Sequence, residues 1–175
     1  AVLTINSNLD INVSLWNGRS WGLPTYMTTA AVASTVPMAD MAYEQVSGDL
    51  LAVYQNSLGA GGNVPYYRVY SGGNWSAESA IAIGSTRVPN ILRLAVKPGT
   101  NIIMLGQKDE NKDVRAAVWD GAAWGNVCNV TADCGSVAYL EAVAPAYEYT
   151  SGDCLVMFIQ KNGTAPYYRI WNGAA

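Results

Sequence analysis

The side chains best equipped for chemistry in this sequence are carboxylates, arginines, thiols and an excess of tryptophan and tyrosine. Histidine does not occur. Its absence removes Ser-His-Asp and Cys-His triads, imidazole acid–base work and most catalytic zinc sites. Carboxylates cluster once, as Asp109, Glu110 and Asp113 in GQKDENKD. Lys108 and Lys112 alternate with them, so the segment reads as a solvated hairpin loop. Glu44, Glu141 and Glu148 fall in or beside first strands of the units described below, with no motif linking them. Arg68 and Arg169 stand two residues before an aromatic and Arg115 four before. That scatter fits pairing on strand faces rather than one convergent site. GAGG in SLGAGGNVP has no following helix or Lys and reads as a hairpin loop, not a phosphate cradle. No catalytic residue and no cofactor is assigned.

There are three cysteines. Cys128 and Cys134 lie in GNVCNVTADCGS, where a disulfide could close a short loop and would point to an oxidising compartment. The alternative is three reduced thiols. Cys154, in the apolar run CLVMFI, reads as a buried free thiol. No CxxC pair accompanies them, so no metal site is expected.

The aromatic residues offer binding chemistry. Tryptophan and tyrosine number 6 and 11 against one phenylalanine, a preference that suits surfaces both apolar and wet. Trp16, Tyr70, Trp119 and Trp171 are candidate ligand platforms, as are the recurring Trp21, Trp75 and Trp124. The competing reading is that the recurring tryptophans pack between structural units. Tyr66 with Arg68, and Tyr167 with Arg169, share strand faces and suit either a ligand contact or a structural Arg–Tyr ladder. Four N-x-S/T sequons begin at Asn12, Asn74, Asn129 and Asn162.

What positions these residues is a repeat. SLWNGRSWGL, RVYSGGNWSA and AAVWDGAAWGN each place Trp five residues after an aromatic: Trp16 then Trp21, Tyr70 then Trp75, Trp119 then Trp124. Trp171 in APYYRIWNGAA is the fourth aromatic, with spacings of 54, 49 and 52 along the series. SGDLLAVY, PGTNIIML and SGDCLVMF keep the same beat, as do VPYYRVY and APYYRIW. Each unit reads as four short strands bounded by Gly, Asn and Asp turns. The fourth strand begins at the recurring Trp. Alternation puts Ile11, Val13 and Leu15 on one face, and Asn12, Ser14 and Trp16 on the other. VAYLEAVAPAYEY is helical by composition, but its register with ILRLAVKPG and its central Pro145 argue for a strand. Four-stranded units of about 50 residues are β-propeller blades.

The W-[ND]-G-x-x-W stretch, closest in AAVWDGAAWGN, resembles the blades of fucose-binding β-propeller lectins. The Asp-box of sialidase propellers is a looser likeness, since Gly121 follows Asp120 directly. The lectin resemblance implies a sugar site with an Arg on the second strand and a Glu shortly before the third-strand Trp. Here the second strands LLAVYQ, NIIMLGQ and CLVMFIQ lack Arg. Three positions before each aromatic stand Val13, Tyr67, Ala116 and Tyr168. That sugar site is not carried over.

Aligned to the markers, the chain begins in a second strand and ends after a third, giving 3 + 4 + 4 + 3 strands and two unfinished blades. Either it is part of a longer chain, the favoured reading, or another copy supplies the missing strand. Only 13% of residues are charged, against roughly 25% in typical domains, which suits an extracellular or assembled protein. The net charge of −3 gives no reason to expect nucleic acid or membrane as partner. No apolar run is long enough to span a bilayer. The first residue, Ala1, and the lack of a signal-peptide pattern fit a processed or trimmed chain. The expectation is a single all-β, propeller-type domain over 1–175, with units at about 1–35, 36–85, 86–135 and 136–175. It would serve as a non-catalytic surface binding or scaffolding module whose partners are its own copies, neighbouring domains or glycans. A carbohydrate-binding lectin is the alternative, and a sialidase-type glycosidase a weaker one.

Overall fold

The computed structural model describes residues 1–33, 35–58, 62–135, 141–163 and 165–173. The start of the GAGG loop, the segment 136–140, Thr164 of the last sequon and the final two residues lie outside them. Among the described residues, fifteen strands form four antiparallel sheets. The first holds β1 (Val2–Ile5), β2 (Ile11–Ser14) and β3 (Thr25–Thr28). The second holds β4 (Ala39–Tyr43), β5 (Leu50–Gln55), β6 (Pro65–Ser71) and β7 (Asn74–Trp75), with β8 (Ser79–Ala80) also on β6. The third runs β9 (Pro89–Val96), β10 (Ile103–Asp109), β11 (Val114–Trp119) and β12 (Trp124–Thr131). The fourth holds β13 (Val143–Tyr147), β14 (Cys154–Phe158) and β15 (Tyr167–Trp171). Apart from β8, each sheet pairs its strands in chain order, the meander of a propeller blade. We call the sheets blades 1 to 4.

Blades stack face to face, and this explains why the central strands are apolar throughout. In β5, Leu50, Ala52 and Tyr54 pack toward blade 1, while Leu51 and Val53 pack toward blade 3. In β11, Ala117 and Trp119 face blade 2, while Val114, Ala116 and Val118 face blade 4. A strand alternates its side chains, so a strand buried on both faces loses the polar half of the pattern. The result is three separate cores, one per junction. Pro145 sits within β13, which pairs with β14 alone. An edge strand tolerates the missing N–H.

The fourth strands depart from the expected pattern. β12 begins at Trp124 as anticipated. In blade 1 the aromatic pair forms only an isolated bridge, Trp16 to Trp21, and β3 starts at Thr25, after Pro24. In blade 2 the strand breaks between β7 and β8. There the Ser76 hydroxyl accepts the Val69 N–H (3.0 Å) in place of a backbone carbonyl.

Two further expectations are corrected. Cys128 and Cys134 form no disulfide: Cys128 is exposed on β12, whereas Cys134 is buried in the core between blades 3 and 4. Cys154 is buried and free, as expected. The acidic hairpin is not a solvated loop throughout, since Lys108 and Asp109 are fully buried. Asp109 accepts the backbone N–H groups of Asn111 and Asp113 (both 3.0 Å) and the Ser85 hydroxyl (2.9 Å). It caps the turn, and burial raises its pKa. Among the sequon asparagines, Asn12 is buried on β2, while Asn74 and Asn129 are exposed.

Candidate functional site

The third-strand aromatics occupy equivalent places. Tyr70 pairs with Leu50, Trp119 with Ile103 and Trp171 with Cys154. The recurring Trp stacks at a tilt on Trp16, Tyr70 and Trp119, with ring centroids 5.3 Å apart for Trp16–Trp21 and Tyr70–Trp75, and 5.6 Å for Trp119–Trp124. Each of these aromatics faces the preceding blade, and the surroundings differ from junction to junction.

Between blades 2 and 3 the aromatic is sealed. Tyr67 lies 5.4 Å from Trp119 and 6.0 Å from Trp124, centroid to centroid. The Trp119 indole N–H donates to Glu44 Oε1 at 2.6 Å, and Glu44 Oε2 accepts the Ser47 hydroxyl at 2.5 Å. The turn of blade 2 is also tied to blade 3. Asn101 Oδ1 accepts the N–H groups of Val46 and Ser47 (both 3.0 Å), and Gln45 Oε1 accepts that of Gly99 at 2.6 Å.

Between blades 3 and 4 the same positions carry smaller or different residues. In register, Ala116 stands where Tyr67 stands and Gly106 where Val53 stands. Blade 4 fills the space above Gly106: a Cβ there would meet Val143 Cγ2 at 2.8 Å and the Pro145 ring at 3.2 Å. The space above Ala116 stays open. It is a cavity of about 230 Å³, walled by Met104, Cys128, Val130, Val156 and Trp171, with Asn126 and Arg169 as polar lining. Asn126 adopts φ +49°, a left-handed conformation that asparagine tolerates. The turn position held by Glu44 in blade 2 is Lys97 in blade 3, as matching turn hydrogen bonds show. Lysine offers no acceptor, and among the described residues the buried Trp171 indole N–H has no partner.

Between blades 1 and 2, Arg68 holds the register position of Arg169. It lies beside a closed network in which the Tyr54 hydroxyl and the Asn56 amide donate to Glu78 at 2.8 and 3.0 Å. Burial, and then the bond to Glu78, raise the Tyr54 pKa well above the usual tyrosine value. Leu15, Tyr70 and Trp75 pack against that core. Trp16 is 49% exposed on the outer face of blade 1.

Of the candidate platforms, then, Trp119 is structural, Tyr70 is packed, Trp16 is open, and Trp171 and Arg169 share a cavity. The cavity itself was missed from sequence. Its signal was the exchange of Tyr67 for Ala116 at one register position, which the loose third-strand alignment hid. The link between Glu44 and Glu148 was also missed. The signal was present in A-Y-E-x-x-S-G-D, at Ala42–Asp49 and again at Ala146–Asp153.

No protein-family model matches the sequence, and no curated protein resembles it closely enough to count as a relative. Solved structures do match in fold. The fucose-specific lectin from Aleuria aurantia superposes with a TM-score of 0.60 at 19% identity, over 98% of this chain and 53% of the lectin. AofleA from Arthrobotrys oligospora, as a triple arginine mutant, gives 0.60 at 11% identity, over 96% of this chain and 48% of that one. NanB sialidase from Streptococcus pneumoniae gives 0.54 at 12% identity, over 91% and 28%. The chain has a β-propeller fold. It spans about half the length of the Aleuria aurantia lectin and of AofleA and about a quarter of the sialidase chain, and one structure of the Aleuria lectin is described as a six-bladed β-propeller.

Proposed function

We propose that this chain is a non-catalytic carbohydrate-binding module of a secreted or surface protein, taking one sugar unit in the cavity between blades 3 and 4. The observation that carries this reading is the cavity left by Ala116 beside Trp171. At about 230 Å³ it falls below the roughly 300–1,000 Å³ of drug-sized sites and suits a single pyranose. A sugar needs an aromatic face for its CH groups and polar partners for its hydroxyls. Trp171 supplies the face, and Arg169 and Asn126 supply hydrogen bonds. The lectin neighbours support the reading at the level of fold, and fucose is therefore the first sugar to try. Binding would differ in mode from the site the sequence resemblance implies, because that site's Arg and Glu are missing here.

The test is a glycan array followed by calorimetry on the wild type, Ala116→Leu and Arg169→Ala. The cavity reading expects saturable binding by the wild type, lost in Ala116→Leu because the leucine fills the space. Arg169→Ala should weaken it about 10-fold, the loss of a hydrogen bond to a charged group. Binding that survives Ala116→Leu unchanged would move the site elsewhere, and no binding to any glycan would end the lectin reading.

A further inference from the structure

Neither the fold nor the cavity accounts for the N-x-S/T motifs. Such a tripeptide is an acceptor for an N-linked glycan where its asparagine reaches solvent. The structure sorts the four. Asn12 is buried on β2, a central strand paired with both β1 and β3. Asn162 is exposed, but its Thr164 lies outside the described residues. Asn74 and Asn129 are exposed, and both of their tripeptides are described. At Asn74 the rest of the motif is spent on the blade. The Trp75 ring stacks on Tyr70, and the Ser76 hydroxyl accepts the Val69 N–H and donates to the Ala77 carbonyl at 2.9 Å.

The tripeptide Asn129-Val130-Thr131 is built differently. Asn129 pairs with Arg115 and Thr131 with Val114, so Val130 is the extra residue of a bulge. The bulge turns Val130 into the core between blades 3 and 4. It leaves Asn129 exposed, with Thr131 half-buried beside it. Asn129 belongs to β12, the outermost strand of blade 3, which pairs with β11 alone. The outer rim of a propeller faces solvent however many blades complete the ring.

The edge that β12 presents on this rim differs from those of the other outer strands. β3 has four residues, and β7 and β8 have two each. Edges so short give other chains little to pair with. β12 has eight residues, and WGNVCNVT holds no charge and no proline, the usual guards of an edge. Its bulges bend it, yet the five residues from Gly125 to Asn129 are all exposed. We propose that Asn129 carries an N-linked glycan, which covers this edge. In the transfer, Asn129 Nδ2 bonds to the anomeric carbon of a lipid-linked oligosaccharide. The C–O bond to the lipid pyrophosphate breaks, the pyrophosphate leaves with the electron pair, and the amide gives up one proton. The inference rests on the secreted or surface location in the proposed function and not on the sugar cavity, which Asn129 does not line.

The experiment expresses the chain behind a cleavable secretion leader in eukaryotic cells, which fixes the compartment and isolates the acceptor itself. Peptide mass spectrometry after peptide-N-glycosidase treatment should find Asn129 converted to aspartate and Asn12 unchanged. Thr131→Val should abolish the glycan and Thr131→Ser should keep it, both with Asn129 in place. Sedimentation velocity then reads the edge. The same chain made without glycan in bacterial cells should self-associate at concentrations where the glycosylated chain is monomeric. An unmodified Asn129 in the secreted, folded chain would overturn the proposal, as would modification at Asn74 alone. A glycan-free chain as monomeric as the glycosylated one would overturn the covering role. These readouts do not change if the chain binds no sugar.

Discussion

The junction between blades 2 and 3 and the junction between blades 3 and 4 are two versions of one design. In the first, Tyr67 covers Trp119 and Glu44 takes its indole N–H. In the second, Ala116 leaves Trp171 beside a cavity, and Lys97 leaves its N–H without an acceptor. The backbone register is the same in both. Two side-chain exchanges therefore separate a sealed structural joint from an open one. The lesson is that a repeated aromatic does not have a repeated role. Its neighbours decide whether the ring serves the fold or is free for a ligand.

The comparison can be broken by exchanging the roles. Trp119→Ala should destabilise the protein by about 3–5 kcal/mol in denaturant melts, the usual loss for a buried tryptophan. Trp171→Ala should be milder, about 2 kcal/mol, because a cavity already adjoins the ring, and should abolish the proposed sugar binding. Equal losses would mean the two joints are not different. Glu44→Ala should lower stability by about 1–3 kcal/mol by leaving a buried indole N–H unmet. Lys97→Glu tests the converse. It supplies Trp171 with the missing acceptor and should raise stability by about 1 kcal/mol.

Thiol labelling sharpens the contrast without changing it. In the native protein a maleimide should modify Cys128, which is exposed, and spare Cys134 and Cys154 until unfolding. Burial pushes the Cys154 thiol up to about 12, so little thiolate forms near neutral pH. Because Cys128 walls the cavity, a bound sugar should slow its labelling. The smallest effect concerns Glu148. Bonds from Ser151 first, then Thr150, push its carboxyl down to about 2 from an ordinary 4.5. The folded pKa is depressed, so the turn's stabilisation is fully present above about 4.5 and lost as pH falls through about 2. A carboxyl NMR titration should find that midpoint.

Much of the architecture was legible in the sequence because it depends on local signals. Gly and Asn turns, the Trp beat and the apolar second strands predict four-stranded units, and Pro145 argues for a strand rather than a helix. The break between β7 and β8 was not legible, because it turns on one hydroxyl, that of Ser76, replacing a carbonyl. Nor was the burial of Lys108 and Asp109, since charge patterning reports composition and not which loop folds back on the sheet. Part of the proposed site was visible: Trp171 and Arg169, which line the cavity, were named, as were Trp119 and Arg68, which do not. What separates them lies across a blade junction, in Ala116, Lys97 and Asn126, and such pairings appear only when the sheets are stacked.

The three cores share no residue. Among the described residues each core joins two adjacent blades, so stability behaves as a chain of nearest-neighbour links. A change at one link is felt locally and dies out within a blade. That modularity gives the molecule room to vary: one joint can be hollowed while the next stays shut, without a penalty carried through the whole chain.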